Sequence, residues 1–457
     1  MDGRRVVVVG AGITGLSTAH RLAVDHPHLA VTVLEADDLA GGNLRTSPLT
    51  GIGTDVDEGA DAFLVRVPWA TDLCAELGLA DELVAPAARH ASLWLDGTMR
   101  PIPSPNVLGV PLDPSVVAPG ILPAADLQRL AGAGRPSSPL PDGDLSVGTV
   151  IRSCVGDAVF DRLVDPLIGG VNAGRADELS CTTMAPGLLA AARHADGLLA
   201  TLRLAQEALD PAAPVFNAPV GGMGRLVAAL TSRLGDRVRT GARVTAIERS
   251  DDDWVVRTAD HSTTADAVVV TTPAHAAATL VAPHAPDAAT LLGGLRHASV
   301  VLATMAYRRA DLEVPDGQSG FLVGRGEGLL MTACSFAGSK WAHLDDPDHT
   351  ILRVSCGRID DERHDRLDDG SLTASLCTDL ATTLGAQVPP VAVRLTRWPR
   401  SLVQFPVGHP TRMAEVDSAL AAASGLVVTG AARHGVGIPA CVRSGTEAAA
   451  MVADLIG

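Results

Sequence analysis

The sequence predicts an α/β fold: a discontinuous, Rossmann-like nucleotide-binding domain, an α+β second domain, and a mainly helical insertion. Three observations predict it. A strand, glycine loop, helix and second strand open the chain between Arg4 and Glu35. Buried-strand patterns of the same kind return far downstream, at 265–273 and 426–430. Between those two, runs at 298–307, 320–323, 329–335 and 351–357 suit a largely antiparallel sheet, with a helical partner at 371–385.

The opening unit fixes the first domain. Val6 to Val9 suit a strand buried on both faces. Gly10, Ala11, Gly12, Ile13, Thr14 and Gly15 follow with dinucleotide-fingerprint spacing. The first glycine permits the tight turn, the second a close backbone approach to a pyrophosphate, and the third close packing of the next helix. That helix is expected over 14–24, with its positive end toward the phosphates. The strand Val31 to Leu34 delivers Glu35, followed by Ala36, where an acid can hold a ribose 2′-hydroxyl. A second glycine pair, Gly41 and Gly42, comes next, then Asn43, Arg45 and the stretch Asp57 to Asp61. An NAD-type unit would instead begin another βα repeat, so this arrangement resembles flavoproteins in which FAD lies extended through the domain. Gly59, Ala60, Asp61 and Ala62 form a loop small enough to approach a flat ring, and Arg66 is then a candidate anion contact.

Composition bounds the function. The 457-residue chain is 47% hydrophobic and carries a formal net charge of −16. That charge argues against a nucleic-acid surface and against anionic membranes. The seven cysteines are dispersed, with no C-x-x-C and no metal-spaced His/Cys group, so no metal is expected and a reducing cytoplasm is. The chain enters its first strand almost at once, so no signal peptide is expected. No apolar run approaches the length of a membrane span.

The remaining elements follow in order. A helix is expected over 68–83, with Leu73, Leu77 and Leu79 inward, then a hairpin over 92–103 turning at Asp96-Gly97. Residues 101–143 read as proline- and glycine-rich connections with short helices. Ser146 caps a helix running through Leu167 and ended by Gly169-Gly170, and 183–209 are mostly helical. This helical block suits a plain subdomain, a substrate channel or a membrane-contact surface. A turn and helix occupy 217–234, a strand Arg243 to Ile247 pairs with Asp253 to Val256, and a buried strand covers 265–273. The chain ends with a strand to Gly430, a glycine-rich turn through Val436, Gly437 and Ile438, and a helix from about Ala440, a second anion-stabilising device. The resulting division is 1–70, 217–273 and 400–457 for the nucleotide domain, 71–90 and 274–399 for the substrate domain, and 91–216 for the insertion.

Several stretches together carry a family resemblance over nearly the whole chain. They are VVVVGAGITGL at 6–16, LEADDLAGGNLRT at 34–46, EGADAF at 58–63, SVGTVIRSCVGDAVFDRLVDPLIGGVNAG at 146–174, PVGGMGRL at 219–226, SGFLVGR at 319–325, SKWA at 339–342, QFPVGH at 404–409 and GVGIPACVRSGTEAA at 435–449. The chain resembles the protoporphyrinogen/coproporphyrinogen III oxidases of bacterial haem biosynthesis. The resemblance implies a discontinuous FAD-binding domain of the p-hydroxybenzoate hydroxylase/amine-oxidase type, with an α+β substrate domain and a helical insertion. It implies FAD against Gly10 to Gly15, Glu35, Ala36, Gly42, Asn43 and Gly59 to Ala62. Val244 would lie near the adenine, Trp398 beside the flavin, and Gly430, Val436, Gly437 and Ile438 at the pyrimidine end. Many relatives carry Lys or Arg where Asn43 stands, which leaves Arg45 to neutralise charge. Arg66, Gly320, Phe321, Leu322 and Val323 would face substrate.

The implied reaction removes six electrons from coproporphyrinogen III in three rounds, each a hydride transfer from a bridge carbon to flavin N5 with loss of a pyrrole N–H proton. Molecular oxygen takes the electrons and leaves as hydrogen peroxide. The sequence has no acid–base or nucleophile signature, so the catalytic residue is unknown. The resemblance further implies a cytoplasmic enzyme in transient contact with a ferrochelatase. Coproporphyrinogen III is favoured over protoporphyrinogen IX because no membrane segment is expected and because the composition is that of a GC-rich Gram-positive genome. Two other readings stay open: a flavin amine oxidase, and a non-enzymatic binding protein like the GTPase dissociation inhibitors.

Overall fold

The computed structural model describes residues 4–210, 213–251 and 253–456. The expected opening unit is present as the strand Arg5–Val9, the glycine helix Ile13–Asp25 and the strand Ala30–Leu34. Five parallel-paired strands make the nucleotide sheet, in the order Val238–Arg239, Ala30–Leu34, Arg5–Val9, Ala267–Val270 and Leu426–Val428. Three of its strands thus come from the second half of the chain, and the discontinuous architecture is observed. The valines of its middle strands are buried, because one face packs on the helices Ile13–Asp25 and Ile438–Ile456 and the other on the small antiparallel sheet of Ala246–Ser250, Asp253–Arg257 and Ser262–Ala265 together with the helix Ala274–Val281.

The second sheet has seven strands, in the order Ala392–Val403, His297–Arg308, His349–Cys356, Met331–Phe336, Gln318–Val323, His90–Leu95 and Thr98–Pro101. All neighbours are antiparallel except Gln318–Val323 with His90–Leu95. The helix Asp369–Leu384, capped by Asp368, buries Leu372, Leu376 and Leu380 on one face of this sheet. The helical block has its own core, in which Val150, Phe160, Leu163 and Leu199 meet Leu93 and Leu95 of the sheet.

Several boundaries differ from the sequence reading. The hairpin turning at Asp96-Gly97 extends the large sheet, so a division between residues 90 and 91 would cut a strand. The helix expected over 68–83 stops at Glu76, where Gly78 takes a positive φ of 77°, and its Leu73 and Cys74 belong to the nucleotide core rather than the substrate sheet. The strand expected from Arg243 begins at Ala246. Its lead-in is drawn across the end of the neighbouring strand by Gly241 and Ala242, whose N–H groups donate to the carbonyls of Asp37 and Glu35. The strand expected over 265–273 splits at Asp266, which pairs with the backbone of Arg5.

The helix expected from Ser146 through Leu167 breaks at Gly156, where a side chain would sit 2.4 Å from Asp126. The chain then continues as a π-helix, Phe160–Gly169. Gly169 and Gly170 do not end it; helical backbone runs to Asn172 and stops at Ala173. Among the described residues, no helix is long and apolar enough to cross a membrane.

Candidate functional site

Three glycine-rich loops meet at the ends of the nucleotide strands. Gly10 has a φ of 104°, which only glycine adopts without strain. A Cβ on Gly15 would lie 1.9 Å from the Gly10 carbonyl oxygen, so this position must be glycine for the helix to start where it does. Gly12 differs: a Cβ there would meet nothing within 4 Å. It borders open space, as a pyrophosphate approach requires. Gly41 donates to the Ala11 carbonyl at 2.8 Å, and a Cβ on Gly42 would be 3.3 Å from the Gly12 Cα, so the second loop lies on the first. A Cβ on Gly59 would be 2.0 Å from the Asn43 carbonyl oxygen, which lays the third loop, Gly59 to Ala62, on the second.

Glu35 ties the cradle together. Its carboxylate accepts from the N–H of Ala11 at 2.6 Å and of Asp37 at 3.0 Å. It stands beside the half-buried Ala36 and Val244, where the sequence places the ribose and adenine. Thr14 and Ile13 are buried, and offer backbone rather than side chain. Gly430 has a φ of 133°, and the turn through Val436 and Gly437 leads into the helix Ile438–Ile456. A Cβ on Gly445 of that helix would be 2.6 Å from the Thr14 carbonyl oxygen. The two helices pack backbone to backbone near their starts, and both starts favour negative charge.

Trp398 closes the cradle from the large sheet. Its Nε1 donates to the Glu58 carbonyl at 2.8 Å, Gly59 lies against its ring edge, and the Arg45 guanidinium stands 5.6 Å from its ring centre. Arg45 donates one N–H to the exposed Asp37 at 3.2 Å, while its buried Nε has no partner among the described residues. Thr272, beside Gly10, also holds a buried hydroxyl without a partner. Open space at Gly12, unused donors at Arg45 and Thr272, and two helix starts fit a bound dinucleotide.

From Trp398 a strip of half-buried residues, the candidate cleft, crosses the large sheet. Thr396, Leu302, Ser355, Ala333 and Leu322 sit side by side on five successive strands, and all are only half-buried. The middle of a sheet face is normally sealed, so this row marks an open surface. The expected substrate set is divided between the two faces of this sheet. Side chains alternate across a strand, so Gly320 and Leu322 turn to the cleft, whereas Phe321 and Val323 are buried with Leu372 and Leu376 on the opposite face. Gly320 itself is tightly packed: a Cβ would be 2.2 Å from the Cys334 carbonyl oxygen. Arg66 is solvent-exposed at the edge of the third loop.

The sequence reading missed what holds that loop. Asp61, expected at the cofactor, has its carboxylate bound to Lys340 at 2.9 Å, Arg353 at 2.7 Å and the Trp341 indole at 3.2 Å. Burial alone would raise the Asp61 carboxyl, but Lys340 and Arg353 outweigh it and hold the group well below the usual carboxylate range. Arg353, 6% exposed, also donates to the Gly59 carbonyl. Arg394 reaches the Ser47 and Val56 carbonyls from the next strands. The available signal was Lys340, the only lysine in the chain, set beside Trp341.

Known proteins agree with this geometry. The family profile of flavin containing amine oxidoreductases matches residues 13–453. The coproporphyrinogen III oxidase of Mycobacterium tuberculosis is 34% identical, with 100% of this chain and 99% of that protein aligned. The chloroplastic protoporphyrinogen oxidase of rice is 29% identical over 98% of this chain and 88% of its own length. A crystal structure from Exiguobacterium sp. 255-15, provisionally assigned as a protoporphyrinogen oxidase, superposes with a TM-score of 0.88 at 30% identity, covering 99% of both chains. With a nucleotide cradle of three glycine loops and a profile match spanning nearly its whole length, the chain belongs to the flavin-containing amine oxidoreductase family.

Proposed function

We propose that this protein oxidises coproporphyrinogen III to coproporphyrin III with bound FAD, removing six electrons in three rounds and passing them to molecular oxygen as hydrogen peroxide. The observation that carries the reading is the half-buried row from Thr396 to Leu322, which offers a broad, mostly uncharged surface reaching the cradle at Trp398. The end-to-end match to a coproporphyrinogen III oxidase supports the substrate class. When bound, the flavin supplies hydride acceptance and reaction with oxygen.

The chain's own residues bind and orient. Gly10 to Gly15, Glu35, Ala36, Gly42, Asn43, Arg45, Val244, Gly430, Val436, Gly437 and Ile438 hold the dinucleotide. Gly59, Ala60, Ala62 and Trp398 hold its ring, with Asp61 bracing the loop from behind. Leu302 and Leu322 keep the cleft apolar, Gly320 gives the strand its close packing, and Arg66 meets a propionate at the rim. Such a surface fixes the bridge carbon over the ring and excludes water, which is where a protein adds most to cofactor chemistry. The three-part division stands in this proposal, with the helix Trp69–Glu76 moved to the nucleotide part and the hairpin His90–Pro101 to the substrate sheet. A cytoplasmic location and transient contact with a ferrochelatase belong to the same proposal.

The second reading is protoporphyrinogen IX oxidation, favoured by the match to the rice enzyme. The test is aerobic turnover of purified holoenzyme, with porphyrin fluorescence and peroxide followed together. Three peroxides per coproporphyrin are expected. Peroxide from diamines, with none from either porphyrinogen, would contradict the proposal.

A further inference from the structure

The far end of the cleft, opposite the cradle, ends on the turn that follows the π-helix. Gly170 packs on Leu322: a Cβ there would lie 3.9 Å from its Cδ2. Val171 is 69% exposed, although Asn172 and Ala173 beside it are buried. Ala173 carries a φ of 47°, a left-handed conformation that is strained for a non-glycine residue. Such strain persists only where the surroundings over-determine it, and here they do. Ile359 donates to the Ala173 carbonyl at 2.8 Å, and Gln404 to the Asn172 carbonyl at 2.9 Å.

Arg325 binds these pieces together. Its Nε donates at 2.6 Å to Asp165, whose side chain is 7% exposed inside the π-helix. Its Nη1 reaches both oxygens of Asp360 at 2.9 and 2.7 Å, and its Nη2 donates to the Gly174 carbonyl. Asp165 in turn accepts from the Ala176 N–H at 2.9 Å. One guanidinium therefore joins the π-helix, the strained turn and the loop after His349–Cys356. It sits two residues beyond the strand that carries Leu322. π-Helical segments gather at functional sites, and this one ends at the cleft.

We propose that Arg325 is a positioning residue, which locks the turn Gly169 to Gly174 as the far wall of the cleft. Substrate binding, but not the flavin cradle, depends on that lock. The inference rests on the reading of the cleft as the substrate site.

The test uses holoenzymes of Arg325→Met and Arg325→Lys. Three quantities are measured: flavin content, amide exchange at Gly174, and KM and kcat for coproporphyrinogen III. Gly174 donates to the Gly169 carbonyl at 2.9 Å, so its exchange reports the turn itself. Expected for Arg325→Met are unchanged flavin content, Gly174 exchange faster by about tenfold or more, and KM raised about tenfold with kcat within about threefold. Arg325→Lys, which keeps the charge but not the fork, should recover only part of the KM. Should Arg325→Met not fold, Asp360→Asn removes one arm of the lock and is expected to shift exchange and KM in the same direction by less. Unchanged exchange at Gly174 would overturn the lock. Faster exchange with KM unmoved would overturn its role at the substrate. If wild-type enzyme turned over neither porphyrinogen, the functional proposal would fall, while the exchange measurement would still decide the lock.

Discussion

The cradle and the cleft are built from different materials. In the cradle, backbone meets backbone: Gly15 against Gly10, Gly42 against Gly12, Gly59 against Asn43, Gly445 against Thr14. Geometry there depends mainly on missing side chains, with the Glu35 carboxylate as the tie between Ala11 and Asp37. Where the cradle meets the large sheet, and at the far end of the cleft, geometry depends on charged ones: Asp61 of the third loop with Lys340 and Arg353, and Arg325 with Asp165 and Asp360. A backbone contact fails all at once when a Cβ is added, whereas a charge cluster loses stability in steps as its members are removed.

The largest expected effect breaks the cradle. Gly15→Val places a side chain 1.9 Å from the Gly10 oxygen, which nothing can relieve without moving the helix. The protein should be recovered colourless or insoluble, and flavin absorbance in the soluble fraction checks this.

Next comes the cluster beneath the third loop. Asp61→Ala leaves Arg353 and Lys340 facing each other without an anion, and should cost about 3–5 kcal/mol in denaturant unfolding. Lys340→Met keeps the Asp61–Arg353 pair and should cost about 1 kcal/mol. Equal losses from the two variants would show that the three groups do not act as one cluster.

A smaller effect is set by pH. His20 lies on the glycine helix, 3.3 Å from Glu76. Burial, with Arg21 and Arg233 nearby, lowers it to about 4. The unfolded chain therefore binds a proton near pH 6.5 that the folded chain refuses until about 4. Stability is complete above pH 6.5 and falls as pH drops through that interval, by about 1.4 kcal/mol per unit for this one group. His20→Gln should flatten that slope, as read from unfolding midpoints between pH 7 and pH 4.

The smallest effect sits where the two regions join. Trp398→Phe keeps a ring over Gly59 and loses the hydrogen bond to Glu58, for about 1 kcal/mol or less. Its sharper readout is the flavin spectrum, which should shift if the ring edge touches the cofactor.

This contrast also explains what the sequence could show. Gly10 to Gly15, Glu35 and the strand Val6 to Val9 are local signals, because the spacing of neighbours along the chain decides them. The hairpin at Asp96-Gly97 was legible for the same reason. Its place in the large sheet was not, since pairing with Gln318–Val323 is a contact across more than two hundred residues. The sequence groups Gly320 to Val323 together because a motif names four consecutive residues, while a strand shows alternate ones to each face, and Phe321 and Val323 are buried on the face opposite Leu322. The partners of the Asp61 carboxylate, Lys340 and Arg353, were not legible because they lie almost three hundred positions away. The π-helix had one local signal, Pro166, which cannot donate the ordinary helical hydrogen bond; the left-handed Ala173 had none, and is held by bonds from Arg325, Gln404 and Ile359 to its neighbours and itself.

The central claim is that the cleft beside the cradle takes a porphyrinogen. The most direct test is anaerobic mixing of the yellow holoenzyme with coproporphyrinogen III and, in parallel, protoporphyrinogen IX, following loss of flavin absorbance. Faster bleaching by coproporphyrinogen III is the predicted result, and bleaching by neither would contradict the account.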